Sequence, residues 1–128
     1  MPDSEKITIN LSAVDLGKID LLVQEGLYSN RTDFIRTGIR NLLDKHVLEI
    51  QQSVTRHSYG IGVFGYNRED LERLRETKDK IKFNVVGILN LAEDIPVELA
   101  NEVIDTIQVR GLFIASDEVK AILANRMK

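Results

Sequence analysis

One short segment of alternating polarity limits how the N-terminal half of this chain can fold. Residues 6–12 alternate strictly between apolar and polar side chains, which is typical of a half-buried β-strand. The apolar positions are Ile7, Ile9 and Leu11, and the polar positions are Lys6, Thr8 and Asn10. Only helical periodicity follows, up to about residue 53, so the segment has no partner strand nearby. Because an isolated strand is not stable, we expect a second copy of the chain to supply the partner.

Two helices are predicted after this strand. The first runs from residue 13 to residue 25, with Ser12 as its N-cap and Gly26 at the left-handed C-cap position. The second begins after Asn30, with Asp33 three residues later as in a capping box, and could run to about Ser53. Its apolar residues are Phe34, Ile35, Ile39, Leu42 and Leu43. A strand and two helices of about forty residues are too small for a stable monomer, which again indicates a dimer.

The dimer suggests a use for the polar face of the strand. Two strands paired antiparallel form a ribbon, and four helices close over its apolar side. The outer side then presents Lys6, Thr8 and Asn10 twice, and a two-stranded ribbon fits the major groove of DNA. The start of the second helix would lie beside the ribbon, with free amides at residues 30–32 that can hold a phosphate.

Residues 6–47 resemble a known family. The likeness is carried by Lys-Ile-Thr-Ile-Asn-Leu-Ser at 6–12 and by the segment from Gly26 to Arg40, which looks like G-x-x-S/N-R-S-E-x-I-R-x-A-I-R. This pattern resembles the ribbon-helix-helix family of DNA-binding regulators, of the CopG, Arc and MetJ type. Thr32 and Asp33 replace residues of similar chemistry, whereas Gly38 replaces an alanine and costs about 1 kcal/mol of helix propensity.

The resemblance assigns roles to individual residues. It implies that the outward strand residues read bases, and that the start of the second helix binds phosphates. The base-reading residues would be Lys6, Thr8 and Asn10; the phosphate-binding residues would be Asn30, Arg31 and Thr32; the dimer core would include Ile7, Ile9, Leu11, Phe34, Ile35 and Ile39. The expected partners are double-stranded DNA and a second copy of the chain.

The overall charge does not favour this function. The chain has 17 Lys and Arg residues against 20 Asp and Glu, a formal net charge of −3, whereas nucleic-acid binders usually carry a basic stripe. A DNA-binding face is nevertheless a small local surface, so the acidity does not exclude it. The acidity also supports an alternative, a non-DNA assembly protein that uses the ribbon only to dimerise.

The second half reads as three strand-then-helix units, which indicates a small α/β domain. Strands are predicted at 59–66, 83–91 and 109–115. Helices are predicted at 67–80, capped by Asn67 and Asp70, then from Asp94 through Ile107, and then after Ser116. We assign residues 1–50 to a DNA-binding and dimerisation domain. Residues 55–128 would form a domain for oligomerisation beyond the dimer, for sensing an effector or for binding a protein partner.

Catalytic, metal and cofactor sites are not indicated. Gly60-Ile61-Gly62-Val63-Phe64-Gly65 lacks the GK[ST] ending of a phosphate loop, and its glycines favour close approach within a sheet. Two histidines and no cysteine make a metal sensor improbable, and no nucleophile-and-base arrangement stands out, so we expect neither an enzyme nor a cofactor. No apolar run is long enough to span a membrane, and the N-terminus is not a signal peptide, so we expect a cytoplasmic protein.

Together these features predict an α+β chain, with a ribbon-helix-helix dimer joined to a small α/β domain of about three strand-helix units. The predicted function is that of a bacterial, sequence-specific DNA-binding transcriptional regulator, which we interpret as a repressor. An antitoxin that regulates its own operon is an alternative in the same class. Antitoxin tails are often disordered before binding, whereas residues 58–128 have the pattern of a folded domain.

Overall fold

The computed structural model describes residues 4–127 and divides into two compact units, one from Ser4 to Ser53 and one from Val54 onward. The described part is α+β, with six α-helices and three parallel strands. The N-terminal unit holds α1 (Ala13–Gln24) and α2 (Arg31–Lys45), and α3 (Val47–His57) begins in it. None of the helices in residues 4–127 is long and apolar enough to cross a membrane.

Local capping explains where α1 begins and ends. The Ser12 Oγ accepts a hydrogen bond from the Asp15 amide at 3.1 Å, as predicted. After the helix, Gly26 has φ +82°, and its amide donates to the Val23 carbonyl while the Leu27 amide donates to the Leu22 carbonyl. This pair of bonds is a Schellman motif, which closes the helix around a left-handed residue and confirms the predicted C-cap.

The prediction that the second helix runs on to Ser53 is wrong. The His46 amide donates to the Leu43 carbonyl, three residues back, and the His46 backbone leaves the helical region with φ −105° and ψ 18°. The last turn of α2 therefore tightens and ends at Lys45. A new helix, α3, starts at Val47, and the His46 carbonyl accepts the Ile50 amide as its first hydrogen bond.

The N-terminal unit buries little of its apolar surface within one chain. Among residues 4–53, Ile19 is the one buried hydrophobic side chain. Residues 4–12 lie outside any strand ladder formed by the described residues, so the predicted ribbon still needs a second copy. Large apolar side chains left exposed in this unit are Ile7, Ile9, Leu11, Val14, Leu21, Leu27, Ile39, Leu42, Leu43, Val47 and Leu48.

Two glycines of this unit are expected to respond oppositely to alanine. Gly38 lies inside α2, and a β-carbon there would have no atom within 4 Å, so Gly38→Ala should raise the free energy of unfolding by about 0.5–1 kcal/mol. Gly26→Ala should lower it, because φ +82° strains an alanine. Urea unfolding of both variants measures the difference. A loss of stability in Gly38→Ala would contradict the open space beside α2.

The C-terminal unit is a three-stranded parallel sheet in the order β1-β2-β3, with a helix after each strand. The strands are β1 (Gly60–Tyr66), β2 (Ile81–Leu91) and β3 (Ile104–Ile114). The helices are α4 (Arg68–Glu76), α5 (Val97–Val103) and α6 (Asp117–Leu123), and a 3-10 turn at Ala124–Arg126 follows α6. The three predicted strand-helix units are present. Asn67 and Asp70 form the predicted capping box of α4, and Ser116 caps α6.

Three details of that prediction are wrong. Helix α4 was predicted to run to residue 80, but it ends at Glu76, because Lys78 adopts the left-handed conformation with φ +63°. Asp94 does not cap α5; its carboxylate accepts the Arg68 amide at 3.1 Å, and the N-cap position of α5 is Pro96. Ile104 and Ile107 belong to β3 rather than to a helical stripe.

The hydrophobic core lies between one face of the sheet and the three helices. From the central strand it takes the odd-numbered residues Phe83, Val85, Leu89 and Leu91. The helices contribute Leu71, Leu99, Ala100, Val103, Val119 and Leu123. Side chains alternate along a strand, so the even positions of β2 face the other side, and the in-register neighbours of Ile88 there are Val63 and Leu112. Val63 remains 65% exposed, which leaves this second face partly open.

A row of three glycines crosses the sheet. Gly62, Gly87 and Gly111 are in register on adjacent strands and have φ of +140°, +134° and +128°. They are 25 and 24 positions apart, so each marks the same place in a repeat of one strand and one helix. The predicted close approach is present at this row. Residue patterns predicted the three strand-helix units, but they did not reveal that these glycines occupy the same place in each unit.

Candidate nucleic-acid interface

The alternating N-terminal segment is exposed on both faces. Lys6, Thr8 and Asn10 are exposed and form no hydrogen bond or ion pair with the rest of the described chain. On the other face Ile7 is 74% exposed and Ile9 56% exposed. An exposed apolar face of this kind is typical of an interaction surface.

The start of α2 presents free backbone amides. The Asn30 side chain accepts the Asp33 amide at 2.8 Å, and the Asp33 carboxylate accepts the Ser29 amide at 2.9 Å. This reciprocal capping confirms the predicted helix start. The amides of Arg31 and Thr32 have no acceptor within residues 4–127, and they lie at the N-terminus of α2, which is the positive end of the helix dipole. Such a pair of amides can bind a phosphate oxygen.

The side chain of Arg31 has an intramolecular partner that sequence patterns did not reveal. Its Nε and Nη2 donate to the two carboxylate oxygens of Asp20 at 2.8 Å each, which ties α2 to α1. This bidentate bond lowers the pKa of Asp20 and raises that of Arg31. A lowered carboxyl pKa stabilises the fold at neutral pH, and this contribution disappears as the pH falls through the lowered pKa. The pair is about half exposed, so a phosphate could compete with Asp20 for Arg31.

The residues predicted for the dimer core are not buried within one chain. Ile7, Ile9, Leu11 and Ile39 are exposed, whereas Phe34 and Ile35 are half-buried. Phe34 packs edge-on against Tyr28, with ring centroids 5.0 Å apart. Phe34, Ile35 and Ile39 therefore lie close together on α2. The three apolar residues of the N-terminal segment remain exposed to solvent.

An exposed alternating segment followed by two capped helices is the arrangement of a class of small DNA-binding regulators. The chain belongs to the ribbon-helix-helix transcriptional regulator family, whose family model matches residues 2–120. This confirms the resemblance drawn from residues 6–47, and the match also extends over most of the C-terminal unit. The search of curated proteins found no match, and the search of solved structures found none either.

Proposed function

We propose that this regulator binds DNA sequence-specifically as a dimer, with the paired N-terminal segments of two copies lying in the major groove. The observation that carries this proposal is the exposure of both faces of residues 4–12 in a chain of this family. Pairing two such segments forms a ribbon, and the helices of both copies then cover Ile7, Ile9 and Leu11 on one of its faces. It also places Lys6, Thr8 and Asn10 of both copies on one outer surface, where their side chains can bond base edges.

Phosphate contacts would hold the ribbon in register. The amides of Arg31 and Thr32 lack an internal acceptor, and α2 has 15 residues, so its dipole adds to their attraction for an anion. The nearby carboxylates repel the phosphates of DNA less strongly than their number suggests. Asp20 is neutralised by Arg31, and Asp33 accepts the Ser29 amide. The net acidity of the chain therefore does not describe the charge at this surface.

The exposed apolar residues favour a dimer over a monomer. One copy leaves Leu42 and Leu43 more than half exposed at the end of α2. Burying such side chains stabilises a dimer by about 25 cal/mol for each Å² of apolar area removed from water.

Repression follows most simply from a dimer bound in the major groove, because such a dimer excludes other proteins from the same site. The folded C-terminal unit favours this function over an antitoxin, whose tail is often disordered before binding.

Binding to genomic fragments at several salt concentrations tests the proposal. A small subset of fragments should bind tightly, and the logarithm of the affinity should fall with the logarithm of salt by about 0.9 for each phosphate contacted. Sequencing that subset would identify the operator. Absence of binding at low salt would refute the proposal and leave the N-terminal segment as a dimerisation device.

The Asp20→Asn variant should bind DNA several-fold more tightly than the wild type. Asparagine removes the charge that competes for Arg31, so the guanidinium becomes available to a phosphate, and the salt dependence should steepen by about one phosphate per copy. Titrations at two salt concentrations measure both effects. Asp44→Asn, which removes an exposed charge on the same unit without touching Arg31, is the control. Weaker binding by Asp20→Asn would show that Asp20 positions Arg31 for the phosphate.

A further inference from the structure

The two edges of the C-terminal sheet differ in how they are protected. β3 is the other edge strand, and it contains the charged residues Asp105 and Arg110. On its outer side Met127 pairs with Ile107 as an isolated bridge. The segment leading to Met127 is held in place by Arg126. Its guanidinium donates to the carbonyls of Asn101 and Ile104 at 2.9 Å each, and to the side-chain oxygen of Asn101. This end of the strand-helix stack is therefore partly capped, at Ile107.

The β1 edge has no such protection. No strand of residues 4–127 pairs with its outer side, and Gly60–Tyr66 contains no charged residue and no proline. Ile61 is 58% exposed and Val63 65% exposed. Natural sheets protect their edges with charges, proline, bulges or covering segments, and an unprotected edge is a template on which another strand can pair. In the same sheet the outer side of β3 is partly covered, whereas that of β1 is not. This difference indicates that another strand pairs with β1.

A groove of about 560 Å³ runs beside this edge, between β1 and α4. Its apolar walls include Val63, Phe64 and Leu74, and its polar wall is formed by Asp70 and Arg73. Those two side chains form an ion pair at 2.6 Å. The groove lies where a further strand-helix unit of the stack would sit, so a partner that supplies a strand and a helix would complete it.

We propose that the β1 edges of two copies of this chain pair antiparallel, which joins their three-stranded sheets into one six-stranded sheet. A second copy fits for two reasons. The groove carries one charge of each sign, and because Asp70 and Arg73 pair within each copy, two identical grooves can face each other across a two-fold axis without net charge repulsion. Met127 occupies the outer side of β3 at Ile107, which opposes head-to-tail growth through that edge, so the pairing closes as an isologous dimer. This contact goes beyond DNA binding and does not depend on the N-terminal ribbon.

Disulfide cross-linking of the full chain tests the pairing, because the natural sequence has no cysteine. Val63 is the central residue of β1, so in a symmetric antiparallel pair it lies nearest its counterpart, with the Cα atoms about 4.5–5.5 Å apart. That spacing suits a disulfide. Leu112→Cys is the matched control, since Leu112 lies in the same row and on the same face but in the capped strand.

Mild oxidation should cross-link Val63→Cys at least about tenfold faster than Leu112→Cys, because pairing holds the two sulfurs at high effective concentration. Sedimentation of the unoxidised proteins gives the oligomeric state, and circular dichroism confirms that both variants fold. A wild-type dimer or tetramer with the selective cross-link supports the inference. Equal rates in the two variants overturn it. A dimer that does not cross-link at Val63→Cys overturns this inference alone, whereas a monomer without cross-links overturns the proposed DNA-binding dimer as well.

Discussion

Gly87→Ala is expected to unfold the C-terminal unit or to destabilise it by about 4 kcal/mol or more, which is in the range of the most damaging single substitutions. A β-carbon at Gly87 would lie 2.1 Å from the Gly62 carbonyl oxygen, and φ +134° is strained for alanine. Relief by a side-chain rotation is not available, because the obstacle is the backbone of the adjacent strand. Only separation of β1 from β2 would relieve the clash.

Urea unfolding followed by circular dichroism measures this effect, and Gly65→Ala is its control. Gly65 lies in the same sheet, but a β-carbon there would have its first neighbour at 4.0 Å, so we expect a change within about 1 kcal/mol. Gly111→Ala should behave like Gly87→Ala, since its β-carbon would lie 2.1 Å from the Gly87 carbonyl oxygen. Equal stability of Gly87→Ala and Gly65→Ala would show that β1 and β2 do not approach closely at Gly62 and Gly87.

The second large effect is expected at the proposed DNA surface. Replacing Lys6, Thr8 and Asn10 together by alanine should reduce binding to the preferred fragments about a thousandfold or more. Each good contact to a base edge contributes about 1–3 kcal/mol of discrimination, and a dimer carries every contact twice. The weaker, salt-dependent attraction to any DNA should persist, because the amides at the start of α2 remain. Competition titrations with preferred and random fragments separate the two terms.

The matched control replaces the same residue types elsewhere. Lys80, Thr55 and Asn125 are exposed and lie outside the N-terminal unit, and their alanine triple changes the net charge equally. It should bind the preferred fragments like the wild type. Both triples should keep the wild-type mass in sedimentation, since none of the replaced side chains is apolar. Undiminished selectivity in the Lys6, Thr8 and Asn10 triple would rule out base reading by this segment and favour the assembly protein.

Much of the candidate site could be predicted because its signals are local. The helix start at Asn30 depends on a side chain and an amide three residues apart, and Ser12 caps α1 in the same way. The partner of Arg31 could not be predicted. Asp20 lies 11 positions away on another helix, and no short-range pattern distinguishes it from the other acidic residues of α1 and its surroundings. The break at His46 was also missed, since the hydrophobic periodicity continues across it.

The sequence by itself determined the N-terminal caps of α1, α2, α4 and α6, the alternating N-terminal segment and the strand-helix order of the second half. Each of these depends on residues within one or two turns of chain, where covalent geometry already sets the spacing. Only the tertiary structure decided that Gly62, Gly87 and Gly111 meet in one row, and that the β3 edge is covered at Ile107 while the β1 edge is open. Strand order and register bring together residues some 25 positions apart. Hydrophobic spacing does not specify such pairings, because many registers would bury the same apolar residues.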